Sequence, residues 1–469
     1  MKKSLLIVSA LSLISTSAMA SQARLLALGM NETDNEGMYH VSDARNMFLN
    51  PAYINVYNDQ AIFEWGSAGQ IVKAGATDST ASVNNNTASP KAQGGVLKKY
   101  GDFVYGLYFG NESNTSSLLR IAGTSAIAAL NARAAGATSA VSKTLATSDN
   151  QVDIFFGGGS DLKWAVNPVL TFGKDDARKA KDSGISVRGG VIGSGWDAHL
   201  NVSLNSKSEA TDSVTLPLGS VVAAQTVNQK FKGKLGVQAG GSYILSGNNR
   251  VFGYVKHYGW EQTDSYNAYA ALDTNTNTNS SGALNGAGGQ NGTVKGDFTS
   301  IYLGWGSHTD VNTTDKLFYS FAAKKTDINL KFSNKSEVRH IALPLTIGYE
   351  AQATEWLVLR GSVVQNIWGQ RDNKNIDNYS GATGTRVNRL ASNLISKIYG
   401  STGKASLANS TQVNAGATLT FGQIAVDGLI SATNGTGAQT KSATDSNAPK
   451  VGILSLENLE TSVAVTYKF

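Results

Sequence analysis

The chain contains no cysteine and only six prolines among its 469 residues. Without cysteine, disulfide bonds and thiol chemistry are excluded. The few prolines form no linker, which argues against a string of separate soluble domains. After residue 20 there is no apolar run of about eighteen residues, so the sequence predicts no transmembrane helix.

Charge is also sparse. The 40 basic and 34 acidic residues give a net charge of +6, a balance too mild to indicate a nucleic-acid partner. No zinc-protease, serine-hydrolase or phosphate-loop motif occurs, and the histidines lack metal-ligand spacing. We therefore expect no enzymatic activity, no metal and no cofactor. The five histidines are His40, His199, His257, His308 and His340.

Residues 1–20 are typical of a secretory signal peptide. Lys2 and Lys3 give a basic start, residues 5–14 are mostly apolar, and Ala18-Met19-Ala20 is a small-x-small cleavage site. The apolar part is too short to span a membrane as a helix. We expect an exported protein whose remaining chain carries a net charge of about +4, since the segment removes two lysines.

The last nine residues alternate with a period of two. Val463, Val465, Tyr467 and Phe469 fall on one face, and small or polar residues fall on the other. Such alternation is typical of a lipid-facing barrel strand. It also resembles the C-terminal signal of outer-membrane barrels, which implies recognition by the barrel-assembly machinery.

The same alternation recurs along the chain and predicts sixteen strands. Trp196 to Asn205 and His340 to Tyr349 show it most clearly. The predicted strands are 61–72, 91–99, 102–111, 151–158, 162–173, 183–193, 195–205, 229–246, 249–263, 294–307, 314–326, 338–353, 355–370, 410–421, 424–433 and 460–469.

The connections alternate between short and long. Short connections follow the even strands, whereas long ones follow most odd strands, among them 73–90, 112–150, 206–228, 264–293, 371–409 and 434–459. Tight turns at one end and long loops at the other are typical of an outer-membrane barrel. We therefore predict an all-β, antiparallel transmembrane barrel over residues 61–469, located in the cell outer membrane. Tryptophans near the strand ends, such as Trp260 and Trp368, are predicted to form aromatic girdles.

Residues 21–60 precede the first strand and carry three short motifs. These are Ala27-Leu28-Gly29-Met30, Ser42-Asp43-Ala44-Arg45 and Asn50-Pro51-Ala52. They resemble the N-terminal segment of the FadL-type superfamily, outer-membrane transporters of fatty acids and hydrocarbons. The resemblance implies a fourteen-stranded barrel and an inward-folded hatch with Asp43, Ala44, Asn50, Pro51 and Ala52 in its motifs. Alternatively, Asn50-Pro51 is only a turn that enters the first strand.

Charged and polar side chains are predicted to face the lumen. They would set ion selectivity in an open barrel, or hold a hatch through Asp34, Glu36 and Asp43. A role of Asp197 and His199 in catalysis at the barrel rim is a further, weaker alternative. The lumen-facing candidates are Lys163, Arg188, Asp197, His199, Lys234 and Arg360.

Pro168 lies in the middle of the fifth predicted strand, where it removes a ladder hydrogen bond. FadL-type barrels open laterally at a strand kink, so the resemblance makes Pro168 a candidate lateral opening; a tolerated bulge is the alternative. Two loops show helical spacing over 117–145 and 386–399. They would form an apolar landing site, or simply pack on neighbouring loops. Their apolar candidates are Leu118, Ile121, Leu390, Leu394 and Ile398.

The favoured function is passive uptake of a small apolar solute, fatty-acid-like in character, through a plugged barrel surrounded by outer-membrane lipid. The alternatives are a general diffusion porin with an open polar lumen, and a structural or adhesive surface barrel. The sequence leaves the solute and the oligomeric state open.

Overall fold

The computed structural model describes residues 21–30, 37–67, 91–111, 150–176, 180–218, 221–267, 292–331, 335–375, 402–406, 411–434 and 459–469. The predicted signal peptide and the two predicted loop helices, with Leu118, Ile121, Leu390, Leu394 and Ile398, lie outside these residues.

Three short helical turns precede the strands. Helix α1 (Gln22–Ala27) is followed by two 3-10 helices, Ala44–Phe48 and Pro51–Asn55. Each begins at a polar cap whose side chain accepts a backbone N–H: Ser21 from Arg24, Asp43 from Arg45, and Asn50 from Ala52. Such caps fix where a short helix starts, and a proline directly after Asn50 suits a first helical position.

The rest of the described chain is strand. The strands are β1 (Gln60–Ser67), β2 (Lys91–Tyr100), β3 (Phe103–Phe109), β4 (Asn150–Gly158), β5 (Lys163–Asp175), β6 (Ala180–Gly193), β7 (Trp196–Leu218), β8 (Val221–Ser246), β9 (Asn249–Asn267), β10 (Gly292–Asp310), β11 (Lys316–Lys331), β12 (Lys335–Gln352), β13 (Leu357–Lys374), β14 (Gly403–Ser406), β15 (Thr411–Phe421), β16 (Ile424–Asn434) and β17 (Leu459–Lys468).

The sheet closes on itself. Each strand pairs antiparallel with its neighbours in sequence, and β1 pairs with both β2 and β17. β14 is a short addition at one end of β13, whereas β13 pairs along its other half with β15. Over the described ranges the structure is thus a barrel of sixteen strands plus one short strand. The prediction of sixteen strands is confirmed, and the fourteen implied by the FadL resemblance is wrong.

The outer face of the barrel is apolar. In β17, Val463, Tyr467 and the following Phe469 are about 40 % exposed, whereas Ala464 and Thr466 point inward and are buried. The same alternation holds in β7, where Trp196 and Leu200 are exposed and the intervening Asp197 and His199 are buried. Apolar side chains therefore face outward and polar ones inward, as a membrane barrel requires.

Tight turns lie at one end of the barrel, which we call the turn end; the opposite end is the loop end. Two-residue turns join β2 to β3, β6 to β7, β8 to β9 and β15 to β16. Gly101 and Gly195, with φ of 59° and 81°, supply the left-handed backbone conformation that such hairpins need.

Two of the predicted loops are wrong in extent. The predicted loop 206–228 is mostly strand, because β7 and β8 remain paired as far as Leu218 and Val221. The predicted loop 371–409 includes the end of β13 and all of β14. Residues 206–213 and 371–374 are almost all polar and lack the apolar alternation from which the strand ends were predicted. No helix among the described residues is long and apolar enough to cross a membrane.

Candidate functional site: the N-terminal segment in the barrel lumen

Residues 21–30 and 37–59, which we call the lumenal segment, pack against inward-facing side chains of the barrel wall. Leu25, Met47, Phe48 and Ile54 are at most 1 % exposed. One apolar cluster joins the segment to β1–β5, a second joins it to β11 and β16, and a third joins it to β9. The segment is therefore anchored on several sides of the barrel.

Arg24 of helix α1 links the segment to the wall through a chain of buried charges. Its guanidinium lies 2.8 Å from Asp43 within the segment and 3.1 Å from Glu350 of β12. Glu350 also pairs with Arg360 of β13, which lies 3.1 Å from Asp427 of β16. Burial lowers the pKa of Arg24, but Glu350 and Asp43 outweigh burial and raise it above its ordinary value. The arginine therefore stays charged in the lumen.

Glu64 of β1 forms the second anchor. Its carboxylate accepts from Arg45 Nη1 at 2.6 Å, from the Tyr108 hydroxyl at 2.9 Å and from the Gln22 backbone at 2.5 Å. Arg45 also donates to Asn111 at 3.2 Å. One buried carboxylate thus holds both helix α1 and the first 3-10 helix.

The Asn50-Pro51-Ala52 motif forms the third anchor. Besides capping its helix, Asn50 donates through Nδ2 to the carbonyls of Val191 and Ala198. A Cβ on Gly190 of β6 would lie 1.9 Å from Asn50 Oδ1, so only glycine leaves room for this contact. Asp197 of β7 lies within 3.4 Å of the Asn50 amide. The motif is therefore a contact with β6 and β7 rather than a simple turn into β1.

Aromatic residues form the fourth anchor. The Tyr39 hydroxyl lies 2.7 Å from His199 Nε2, and its ring stacks on Phe252. His40 also stacks on Phe252 and fills the space above Gly306. Burial lowers the pKa of His40 to about 4, and the nearby Arg250 and His308 add to the effect. His40 is therefore neutral when the segment is seated.

The β4–β5 ladder is interrupted beside the segment. Asp153 pairs with Val169 and Phe156 pairs with Val166, but the residues between them are not paired. Pro168 lies in this gap and has no N–H to donate. The Asn167 side chain donates instead to the Ile154 carbonyl at 3.1 Å, and it also accepts from Arg188 at 2.9 Å.

The inner side of this gap is covered by Phe48 of the lumenal segment. Its ring packs edge-on against Tyr108 and Phe155, at centroid distances of 4.9 and 6.0 Å. Arg188, which is paired with Asp153 at 2.5 Å, lies 6.0 Å from the same ring. The interruption in the wall and the segment are thus in direct contact.

An apolar surface lies on the inner wall nearer the loop end, and we call it the loop-end patch. Cross-strand pairing places Trp260 opposite Gly296, which in turn is opposite Leu330. The next row is Tyr258, Phe298, Ile328 and Val338. Trp260 is 1 % exposed, and its Nε1 has no hydrogen-bond partner in the described part of the chain. The patch comprises Phe231, Tyr258, Trp260, Phe298, Ile328, Leu330 and Val338.

The structure brings most of the sequence-predicted residues to the segment or its wall. Asp43, Ala44, Asn50, Pro51 and Ala52 are all buried in the segment. Arg188, Asp197, His199 and Arg360 face the lumen, where they are buried and bonded as described above. Lys163 lies at the first residue of β5 and donates to the Ser160 carbonyl in the adjoining turn.

Two predictions about side-chain placement are wrong. Lys234 lies in a bulge between Gly233 and Gly236 and is exposed. Its Cβ is 3.8 Å from the position of a Cβ on Gly259, which is on the outer face. The bulge reverses the alternation on which the prediction depended. Trp260 faces the lumen instead of forming a girdle.

Of the three acids that were one alternative for holding the hatch, the structure describes only Asp43. The predicted hatch-holding acid Asp43 pairs with Arg24 of its own segment, whereas Asp34 and Glu36 lie outside the described residues. In the ion pairs between the segment and the wall, the segment supplies the arginine and the wall supplies the carboxylate: Arg24 pairs with Glu350, and Arg45 pairs with Glu64.

The sequence analysis gave no role in the lumen to Arg24, Arg45, Glu64, Glu350 and Trp260. A charge on the inward positions of an alternating strand was the available signal, as with Glu64 between Phe63 and Trp65. For Asp197 and His199, the contacts with Asn50 and Tyr39 give a structural role in seating the segment. No group of three metal-ligating side chains occurs among the residues that the structure describes.

Comparison with known proteins shows likeness at the level of the barrel. No family model and no curated protein matches the chain. A solved FadL homologue of Pseudomonas aeruginosa is 12 % identical, with a TM-score of 0.42 and coverage of 96 % of this chain and 98 % of that one. The Ralstonia pickettii toluene transporter TbuX is 10 % identical, with a TM-score of 0.31 and coverage of 95 % and 100 %.

The ferric citrate transporter FecA is also similar, at 7 % identity and a TM-score of 0.39, covering 87 % of this chain and 55 % of that one.

Proposed function

We propose that the protein is an outer-membrane channel for passive uptake of small hydrophobic compounds, with the lumenal segment as its hatch. The loop-end patch is the observation that carries the proposal. In a water-filled barrel the inner face is polar. Here aromatic and aliphatic side chains cover the inner face of neighbouring strands from β8 to β12. Most of these side chains are buried, Trp260 to 1 % exposure, so an apolar solute that enters between them exchanges one set of apolar contacts for another. A polar group on that solute could accept from Trp260 Nε1.

The seated segment argues against the alternative of a general diffusion porin. Its ion pairs and apolar clusters connect it to β1, β9, β12 and β16. A segment held in this way narrows the path for water and ions. No described residue favours the third candidate, adhesion, since the predicted long loops lie largely outside the described ranges.

Titration of the purified barrel with a medium-chain fatty acid, followed by tryptophan fluorescence, tests the solute site. We expect Trp260→Ala to bind about tenfold more weakly or worse, since a loss of about 1.4 kcal/mol weakens binding tenfold. Trp305→Ala is the matched control, because Trp305 lies on the outer face. Equal binding by both variants, together with a large steady conductance of the parent in planar bilayers, would support a porin instead.

The gap at Pro168 is the candidate exit of this channel. A solute that leaves sideways through an interrupted ladder enters the membrane without crossing the hatch. The gap lies in β4–β5, three strands before β8, and Phe48 covers its inner side. We infer that the exit opens when Phe48 moves away.

Uptake of a labelled medium-chain fatty acid tests this exit. Pro168→Val restores a backbone donor and is expected to reduce uptake severalfold, whereas Phe48→Ala is expected to increase it. Pro344→Val is the control, because Pro344 also lies at a strand irregularity, in the β12–β13 ladder. Unchanged uptake by Pro168→Val, or an equal loss with Pro344→Val, would exclude the lateral exit.

A further inference from the structure

A row of five lysines and one glutamate crosses the outer face of the barrel on six neighbouring strands. Direct cross-strand pairing aligns one residue from each strand from β7 to β12. Adjacent strands are about 4.8 Å apart, so the row is roughly 24 Å long. We call it the cationic row; it consists of Lys207, Lys232, Glu261, Lys295, Lys331 and Lys335.

The row points away from the lumen. The residues adjacent to it in sequence, Ser208, Phe231 and Ser336, are buried on the inner face. Because side chains alternate across a strand, the lysines lie outside, and all five are exposed. More than half of the Lys295 and Lys335 side-chain surface is exposed.

Like charges face one another in this row. Lys207 is directly opposite Lys232, and Lys331 is directly opposite both Lys295 and Lys335. Like charges at such positions destabilise a sheet. Glu261 lies 3.9 Å from Lys295, and Lys335 pairs with Glu337.

Lys207, Lys232 and Lys331 form no ion pair with a carboxylate in the described part of the chain. The row therefore carries excess positive charge that a bound anion would compensate.

The height of the row fits the edge of a membrane. Lys295 is ten residues along β10 from Trp305, which is exposed on the outer face near the turn end. A rise of about 3.4 Å per residue on a strand tilted by about 40° gives roughly 25 Å, which is the height of the apolar band of such barrels. In outer-membrane barrels the tight turns face the periplasm and the long loops face outward. The row, which is toward the loop end, thus lies where the head groups of the outer leaflet begin.

We propose that the cationic row binds the phosphate groups of a multiply phosphorylated glycolipid of the outer leaflet. This inference depends on the outer-membrane location proposed above, but not on the solute. Five lysines along roughly 24 Å, interrupted once by Glu261, can engage two phosphates on one head group, and the second contact is then intramolecular. A lipid with a single phosphate lacks this advantage.

The experiment uses the full-length protein, purified in non-ionic detergent, and native mass spectrometry. The lipids are a bisphosphorylated glycolipid, its monophosphorylated form and phosphatidylglycerol. The parent should bind the bisphosphorylated glycolipid at least tenfold more tightly than the other two. Lys232→Gln, Lys295→Gln and Lys331→Gln combined should remove that preference.

The matched control combines Lys98→Gln, Lys99→Gln and Lys163→Gln, which removes the same charge at the turn end and should leave binding unchanged. Heat-modified electrophoretic mobility checks that each variant forms a barrel. The proposal is wrong if the triple variant of the cationic row binds the bisphosphorylated glycolipid as tightly as the parent does, or if the turn-end variant loses as much affinity for it. It is also wrong if the parent binds phosphatidylglycerol as tightly as the bisphosphorylated glycolipid. Fatty-acid uptake by the row variant separates this result from the proposed function, since uptake should persist.

Discussion

Glu64→Gln tests directly whether buried charge holds the lumenal segment in the barrel. The Arg45 and Glu64 side chains are each 3 % exposed and 2.6 Å apart. Glutamine keeps the size of the side chain but leaves the Arg45 guanidinium without its counter-charge. Removing one partner of a buried pair costs about 3–5 kcal/mol. We expect this cost to fall on the docked segment rather than on the strand ladder, since Glu64 is a side-chain contact between the two.

The absence of cysteine supplies the assay. A single Met47→Cys substitution places a thiol at a position that is 1 % exposed when the segment is docked. Its labelling by a maleimide then reports how often the segment leaves its site. At about 1.36 kcal/mol per factor of ten, a loss of about 3–5 kcal/mol raises the labelling rate roughly 150- to 5000-fold.

Two further variants distinguish the loss of a buried counter-charge from a general destabilisation of the barrel. Lys98→Gln removes an exposed pair with Asp59 at 2.9 Å, for which about 0–1 kcal/mol and hence at most roughly a fivefold change is expected. Arg45→Met combined with Glu64→Leu removes both charges and should label more slowly than Glu64→Gln alone. The reasoning is refuted if Glu64→Gln labels within threefold of its parent.

Two other predictions use the same thiol reporter. Undocking frees His40 to return from a pKa of about 4 to its ordinary value near 6.5, so the undocked state binds more protons between these limits. His40 therefore does not weaken docking above pH 6.5, and it weakens docking by up to about 3 kcal/mol as pH falls to 4, whereas the Asp43 carboxyl, whose pKa burial raises to about 7, acts in the opposite direction. The difference between the parent and His40→Phe isolates the contribution of His40, and parallel pH profiles of the two would contradict the assignment. Gly190→Ala should weaken docking of the segment by about 1–3 kcal/mol, because the added Cβ overlaps Asn50. Gly189→Ala should not, because its added Cβ would lie 3.8 Å from the nearest atom, the Leu200 carbonyl oxygen, which is ordinary van der Waals contact.

The barrel was predictable because its physical rules are local. Alternation in residues 460–469 and the two-residue turns at Gly101 and Gly195 each follow from a few adjacent residues. Closure follows once every strand has a partner, since an open edge cannot lie in lipid. The ends of β7 and β8 were missed because residues 206–213 are almost all polar, so the alternation that predicts a strand stops there.

The candidate site was less predictable because it depends on long-range contacts. Glu64 and Arg45 are close in sequence, but Arg24 and Glu350 are 326 residues apart. Alternation shows only that Glu350 points inward. It does not show that a segment lies inside the barrel, or which cation it meets. At Lys234 even the predicted side of the sheet was wrong, because a single bulge reverses the alternation of side chains.

A solute can leave the lumen past the lumenal segment to the turn end, or sideways through the gap at Pro168. The two routes require different contacts of the segment to break. A solute that passes to the turn end must displace Arg24 and Arg45 from Glu350 and Glu64, and each separation exposes a buried pair. A solute that leaves beside Pro168 requires that Phe48 leave its contacts with Tyr108 and Phe155, and that the Asn167 side chain release the Ile154 carbonyl. Loss of the contacts of one buried ring costs about 3–5 kcal/mol, whereas separating two buried ion pairs costs about 3–5 kcal/mol for each pair. The sideways route can therefore open while the segment stays anchored. Glu64→Gln should therefore increase ion conductance more than fatty-acid uptake, whereas Phe48→Ala should do the reverse.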